Sequence, residues 1–155
     1  MSFGKAEEYL KRKNYAERII TFDVSSATVE LAAAALNCEP ALIAKSLTFK
    51  VNDNPVMIIC TGDVKIDNAK YKAKFSTKAV MLSPDEVDRM IGHSIGGVCP
   101  FGINEGVSVW LDESLKRFEI IYPACGDAAS AVRLTPDELF ELSGADGWVD
   151  VTKPR

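Results

Sequence analysis

Seven consecutive residues, Gly96-Gly97-Val98-Cys99-Pro100-Phe101-Gly102, hold three glycines and a proline. Glycine lets the backbone approach a neighbour where a Cβ would clash, and it reaches φ > 0 readily. Proline fixes φ and carries no donor. This composition predicts a stiff bend with backbone N–H groups turned outward, able to hold a carboxylate, a phosphate or a developing oxyanion. An ordinary tight turn between two strands also fits these residues. The glycine spacing matches neither a dinucleotide fingerprint nor a P-loop.

Lys45 is the second residue that could do chemistry. It lies within Leu42-Ile43-Ala44-Lys45-Ser46-Leu47-Thr48-Phe49, with apolar residues on both sides, where a helix hands over to a strand. A charge there must either snorkel to solvent or face a partner in a pocket. Cys99 is open to two readings, a nucleophile or a small semi-buried thiol, with no base or second cysteine beside it in sequence. His93, the one histidine of the chain, is either a proton donor or a hydrogen-bonded structural residue. No Ser-His-Asp arrangement is evident. The four cysteines are scattered and form no Cys-x-x-Cys pair, so neither a zinc site nor a disulfide framework is expected.

These groups need a scaffold. A chain of 155 residues with 47% apolar and 26% charged residues reads as one domain spanning residues 1–155, large enough to fold without disulfides or metal. The polar N-terminus and the lack of any long apolar run predict a cytoplasmic protein with reduced thiols and no membrane contact. A net charge of −4 argues against nonspecific nucleic-acid binding and against DNA. The charge is uneven, however. Lys65, Lys70, Lys72, Lys74 and Lys78 form a basic segment that reads as a solvated helix face or as a surface for a polyanion.

Periodicity and punctuation predict helices at 3–13, 29–36 (capped by Ser25 or Ser26), 67–73, from Ser83-Pro84-Asp85-Glu86 to Gly92, and from Thr135-Pro136-Asp137-Glu138 to Gly144. Strands are expected at 18–23, 46–51, 55–61, 79–82, 107–111, 118–122, 131–134 and 148–151, with Asn52-Asp53-Asn54 closing a hairpin. Hairpins and helices mix without a βαβ rhythm, which predicts an α/β chain of α+β character with a mixed sheet.

Ala44-Lys45-Ser46-Leu47, Gly62-Asp63 and the run Gly96–Gly102 occur in the order and spacing of one family, and the chain resembles the YbaK / prolyl-tRNA-synthetase-associated editing domains from about Tyr9 to Val151. The resemblance implies a mixed, partly barrel-like sheet flanked by helices and hydrolysis of mischarged aminoacyl-tRNA in trans, without a cofactor. It implies Lys45, Gly96, Gly97 and Val98 as catalytic residues. It implies Phe22, Ser46, Asp63, Cys99, Pro100, Phe101, Gly102 and Gly126 as substrate-binding residues. An activated ester needs no strong nucleophile, so water attacks, or the substrate's own thiol in the Cys-specific branch. Backbone N–H groups at Gly97 and Val98 would cradle the oxyanion while Lys45 orients the terminal phosphate or ribose. Lys70, Lys72 and Lys74 are the expected tRNA contacts, with prolyl-tRNA synthetase or an elongation factor as further partners. Segment 124–131 departs from some relatives and leaves the amino acid open. The rival reading is a non-catalytic module of the same fold that binds tRNA or a synthetase.

Overall fold

A computed structural model describes residues 2–155. The chain opens with helix α1 (Ser2–Arg12), whose Ala6 and Leu10 are fully buried. Strand β1 (Ile19–Thr21) follows, then α2 (Val29–Leu36). The α2 cap is Thr28, whose hydroxyl accepts the Leu31 N–H at 3.1 Å. The expected caps Ser25 and Ser26 lie outside the helix. Ser25 Oγ instead accepts Ala27 N–H at 3.2 Å in a local turn.

A long hairpin forms the centre of the molecule. Strand β2 (Ile43–Val51) pairs antiparallel with β3 (Asn54–Thr61). Asn52 and Asp53 both take positive φ, 50° and 67°, the geometry that suits a two-residue hairpin loop. Then come β4 (Val64–Ile66), α3 (Asn68–Phe75) and the short helix α4 (Pro84–Glu86). The capping box of Ser83 and Glu86 is formed on both sides. That helix continues as one wide turn, Val87–Ile91, closed by a hydrogen bond from Gly92 N–H to Val87 carbonyl and by φ of +96° at Gly92. Strands β5 (Ser108–Asp112), β6 (Tyr122–Pro123) and β7 (Ser130–Val132), helix α5 (Pro136–Ser143) with its own capping box, and strands β8 (Gly147–Val149) and β9 (Thr152–Pro154) complete the chain.

The main sheet has the order β6-β2-β3-β5-β8. Only β2–β3 is antiparallel; β2–β6, β3–β5 and β5–β8 are parallel. Two ribbons, β1–β7 and β4–β9, flank this curled half-barrel. Two strand expectations require correction. Segment 79–82 makes a single bridge, Phe49 to Met81, because only Val80 and Leu82 bond the β2 edge. Segment 118–122 is strand only from Tyr122 onward, with Ile121 bridged to Leu134.

Side-chain alternation divides the core. Met57, Ile59, Val109 and Leu111 face one side, packed with α1, α5 and the wide turn. Phe49, Val56, Ile58 and Trp110 face the other, where Tyr71 of α3 joins them. Burying each such side chain contributes about 1.5–3 kcal/mol, so the hairpin is anchored on both faces and its free edge is held in place.

Candidate functional site

The outward edge of β2 has a gap. Tyr122–Pro123 cover it at Ile43–Ala44, and Val80–Leu82 cover it at Thr48–Lys50, through Lys50 N–H to Val80 carbonyl and Leu82 N–H to Thr48 carbonyl. Ser46 lies between them and faces no strand. By the alternation of an antiparallel pair, the backbone N–H and C=O of Ser46 point away from β3 into this gap.

A cleft of about 260 Å³ opens there. Its walls come from the capping segment Ser26–Val29 with Ala32, from Ile43–Ser46 and Thr48 of β2, from Met81, Leu82 and Val87, from Ile95, Gly96 and Val98, and from Tyr122, Ala124, Ser130 and Ala131. Three parts of the motif pattern thus meet: Lys45, Ser46 and the first half of the glycine loop. Among the described residues, no Asp, Glu, His or Cys lines the cleft.

Glycine geometry explains why the loop can form this wall. Gly96 has φ of +99°, and its Cβ position lies 3.4 Å from Ala27 Cβ. A Cβ on Gly97 would come within 2.5 Å of Asp127 N and 2.6 Å of Asp127 Cα. The loop is therefore pressed against segment 126–128. That segment and the residue after it are tied to the far wall by Ser26 N–H to Ala128 carbonyl at 2.6 Å and Phe22 N–H to Ala129 carbonyl at 2.8 Å.

The expected donors divide. Gly97 N–H is committed to Ser94 carbonyl at 3.0 Å, so its assignment as an oxyanion donor is corrected. Gly96 N–H and Val98 N–H donate to no backbone carbonyl among the described residues. Lys45 Nζ donates to Val64 carbonyl at 2.5 Å. Burial, the largest influence, lowers the pKa of its ammonium, with Arg155 acting in the same sense and Cys60, Asp63 and Glu30 opposing. Across the hairpin Lys45 stands opposite Cys60, a fully buried thiol pushed up to about 12 by desolvation.

The second half of the loop turns away from the cleft. Cys99 and Phe101 are fully buried, and Gly102, with φ of +69°, packs against Lys5 carbonyl of α1. Pro100 lies with Gly102 in a shallow groove beside α1. Neither Cys99 nor Phe101 can touch a ligand, so both are corrected to supporting residues, and Pro100 and Gly102 serve the α1 contact. Cys99 Sγ is 3.6 Å from His93 Nε2 and 3.8 Å from Phe101 carbonyl. Burial raises the thiol's pKa and lowers that of His93. The imidazole is tied to Phe101 carbonyl at 2.7 Å through Nε2. The pair packs behind the loop, out of the cleft, where burial opposes charge on either group.

Other expected contacts also fall outside the cleft. Gly126, with φ of +90°, fits against Ser2 carbonyl, and Phe22 is half-buried beside Ala129. Asp63 accepts two hydrogen bonds from Arg117, at 2.7 and 3.1 Å, and one from Thr61 at 2.7 Å. The guanidinium holds the Asp63 carboxyl below its usual range. Lys70 pairs with Asp150 at 3.0 Å, and Lys74 sits over the Trp110 ring at 4.5 Å. Lys70, Lys72 and Lys74 all stand on α3, away from the cleft walls.

The cleft walls also carry two unpaired hydroxyls, one on the expected Ser46 and one on Ser26, which the sequence offers only as a helix cap. Ser26 Oγ and Ser46 Oγ are buried with no hydrogen-bond partner among the described residues. Leaving such a group unpaired costs about 1–3 kcal/mol. By contrast, Thr28 Oγ1 caps α2 and Ser130 Oγ donates to Asp127 at 2.6 Å. Nothing in the Ser25-Ser26 pair distinguishes a lining hydroxyl from the cap it resembles.

The site is thus a cleft at an open strand edge of a mixed half-barrel, walled by a glycine bend and a lysine. The chain belongs to the aminoacyl-tRNA editing domain family, whose model matches residues 23–142. It is 46% identical over 154 residues to YwhH of Bacillus subtilis (strain 168), covering 99% of this chain and 98% of that one. It is 29% identical over 120 residues to a proline–tRNA ligase of Geobacillus, covering 75% of this chain and 21% of the ligase. It is 31% identical over 111 residues to the Bacillus cytotoxicus proline–tRNA ligase, covering 71% of this chain and 19% of that one. This chain therefore matches about a fifth of those ligases. A solved structure described as a candidate trans-editing enzyme for prolyl-tRNA synthetase superposes with a TM-score of 0.88 at 27% identity, covering 98% of this chain and 97% of that one.

Proposed function

We propose that this protein hydrolyses, in trans, the ester of mischarged aminoacyl-tRNA, with tRNA-Pro bearing a small wrong amino acid as its substrate. The observation that carries the reading is the convergence of Lys45, Ser46, Gly96 and Val98 on one small cleft. The editing-domain family and the trans-editing description of a structural relative support it.

The aminoacyl group enters at the β2 gap. Its ester carbonyl takes N–H groups of Gly96 and Val98, and loss of one such donor is worth about 3–4 kcal/mol in the barrier. Lys45 positions the terminal phosphate or ribose. Water adds to the carbonyl carbon, the bond to the ribose oxygen breaks, and that oxygen leaves with a proton as the free amino acid forms. No acidic or imidazole side chain among the described residues lines the cleft, so the attacking water is oriented by a substrate hydroxyl. Gly97 acts by holding the loop, and prolyl-tRNA synthetase or an elongation factor delivers the tRNA.

The test is deacylation of a panel of mischarged tRNAs by wild type and Lys45→Ala. Hydrolysis of at least one ester, abolished in the variant, is the expected result. An unchanged rate in Lys45→Ala overturns the role of the lysine. Tight tRNA binding without hydrolysis of any ester selects the binding module instead.

A further inference from the structure

We infer that the amino-acid side chain this cleft selects is small, uncharged and hydroxyl-bearing, and that Ser26 and Ser46 read it. This inference rests on the editing reading above and names the substrate within it. Ser26 is only 8% exposed, and both hydroxyl oxygens are buried without a partner among the described residues. Both residues line the same cleft. The lining hydroxyls of Thr28 and Ser130 already bond within the chain. Two orphan hydroxyls in one cavity are satisfied when a ligand brings a group that both donates and accepts, as a hydroxyl does.

The remaining parts of an aminoacyl ester have other partners. The ester carbonyl meets the Gly96 and Val98 N–H groups. The α-ammonium meets outward carbonyl oxygen at the open β2 edge beside Ser46, where no strand competes for it. The hydroxyls are thus left for the side chain. Val29, Ala32, Ile43, Leu82, Val87 and Val98 supply apolar walls without an acidic side chain. A cationic side chain has no counter-charge there, and a carboxylate would compete with the terminal phosphate for Lys45, the one cation of the lining. Size alone discriminates weakly between an added hydroxyl and an added methyl, whereas buried hydrogen-bonding groups discriminate strongly.

Serine and 2-aminobutyrate differ by a hydroxyl in place of a methyl and make the deciding pair. Deacylation of seryl-, threonyl-, alanyl- and 2-aminobutyryl-tRNA is measured with wild type, Ser26→Ala and Ser46→Ala, and thermal melts check that the variants fold. We expect wild type to favour the seryl ester over the 2-aminobutyryl ester by at least tenfold in kcat/KM. Each variant is expected to reduce the ratio of seryl to 2-aminobutyryl kcat/KM about tenfold. Wild type without a seryl preference overturns the inference and leaves the editing reading standing. Variants that slow all four esters equally do the same, since the hydroxyls then serve the common part of the substrate or the fold. Failure to cleave any of these four overturns the inference, and failure across the full panel of mischarged tRNAs overturns the editing reading with it.

Discussion

Gly97 lies so close to the backbone of Asp127 that a Cβ on it would sit 2.5 Å from the amide nitrogen. The approach is backbone against backbone, so no side chain can swing aside to relieve it. It joins the glycine loop to the segment that carries Ser130 and Ala131 into the cleft.

Gly97→Ala must therefore push the two segments apart. Overpacking of this kind costs about 1–3 kcal/mol. A reduced urea midpoint and a severalfold loss of deacylation are expected together. Gly96→Ala meets only Ala27 Cβ at 3.4 Å but must hold φ of +99°; a left-handed alanine costs about 1–2 kcal/mol. A wild-type midpoint for Gly97→Ala would refute the close-approach argument.

Lys45 links the site to pH. Its folded pKa is depressed by burial, so the unfolded chain binds the proton more tightly. Stability then carries a penalty at neutral pH that is relieved as pH rises through the folded value toward 10.5. Lys45→Met removes that penalty. We expect its Tm at pH 7 to equal or exceed that of wild type while kcat/KM falls about a hundredfold, the scale on which a misplaced substrate slows. A clear drop in Tm would show that the Val64 bond is chiefly structural.

The parts of this fold with strong local signals are legible in the sequence. Both Ser/Thr-Pro-Asp-Glu starts form reciprocal caps, at Ser83–Glu86 and Thr135–Glu138, because a cap is settled within four residues. Asn52-Asp53 likewise closes the hairpin locally. Ribbon β4–β9 rests on pairing between segments far apart in the chain, and nothing local at Val64–Ile66 or Thr152–Pro154 announces the partner, so it goes unread. The glycine loop is found by composition, but which half faces the ligand depends on where α1 and segment 126–128 pack. Cys99, Pro100, Phe101 and Gly102 are for that reason assigned to substrate by sequence and to support by structure. Ser26 belongs to the cleft only because its backbone is bonded to Ala128.

The thiols report on the same packing. Cys60, Cys99 and Cys125 are fully buried, and Cys38 alone is partly accessible. Burial raises the pKa of each, Cys60 and Cys125 to about 12. Native protein at pH 7 should titrate one thiol slowly with a disulfide reagent and all of them after denaturation, and alkylation should leave deacylation unchanged. Rapid inactivation on modification of Cys99 would restore it as a nucleophile.

Glu138 predicts acid lability. It accepts two hydrogen bonds from Arg18, both 2.9 Å, and closes the Thr135 cap. Arg18 is the main cause of its lowered pKa. A depressed carboxyl pKa gives stability that is present above the unfolded value near 4.5 and lost as pH falls through the folded value. Glu138→Gln should lower the urea midpoint at pH 7 by about 1 kcal/mol equivalent, and the gap from wild type should close toward pH 2. A gap independent of pH would assign the effect to packing.

The lysines of α3 are expected to separate in the salt dependence of tRNA binding. Lys70 is already balanced by Asp150 and bonded to Thr152 carbonyl at 3.0 Å, so a phosphate must compete for it. Lys74 lies over Trp110 at 4.5 Å with its charge unneutralised. Lys72 carries no ion pair or side-chain hydrogen bond among the described residues. Removing one lysine–phosphate pair lowers the slope of log K against log salt by about 0.7–0.9. Lys72→Gln and Lys74→Gln should each flatten the slope by about that amount, and Lys70→Gln by less. The measurement is tRNA affinity between about 50 and 200 mM salt, the range over which such pairs are read. Equal slopes for wild type and the triple variant would remove α3 from the interface and leave the rim around Lys45 and Arg155 as the basic surface that meets the acceptor end.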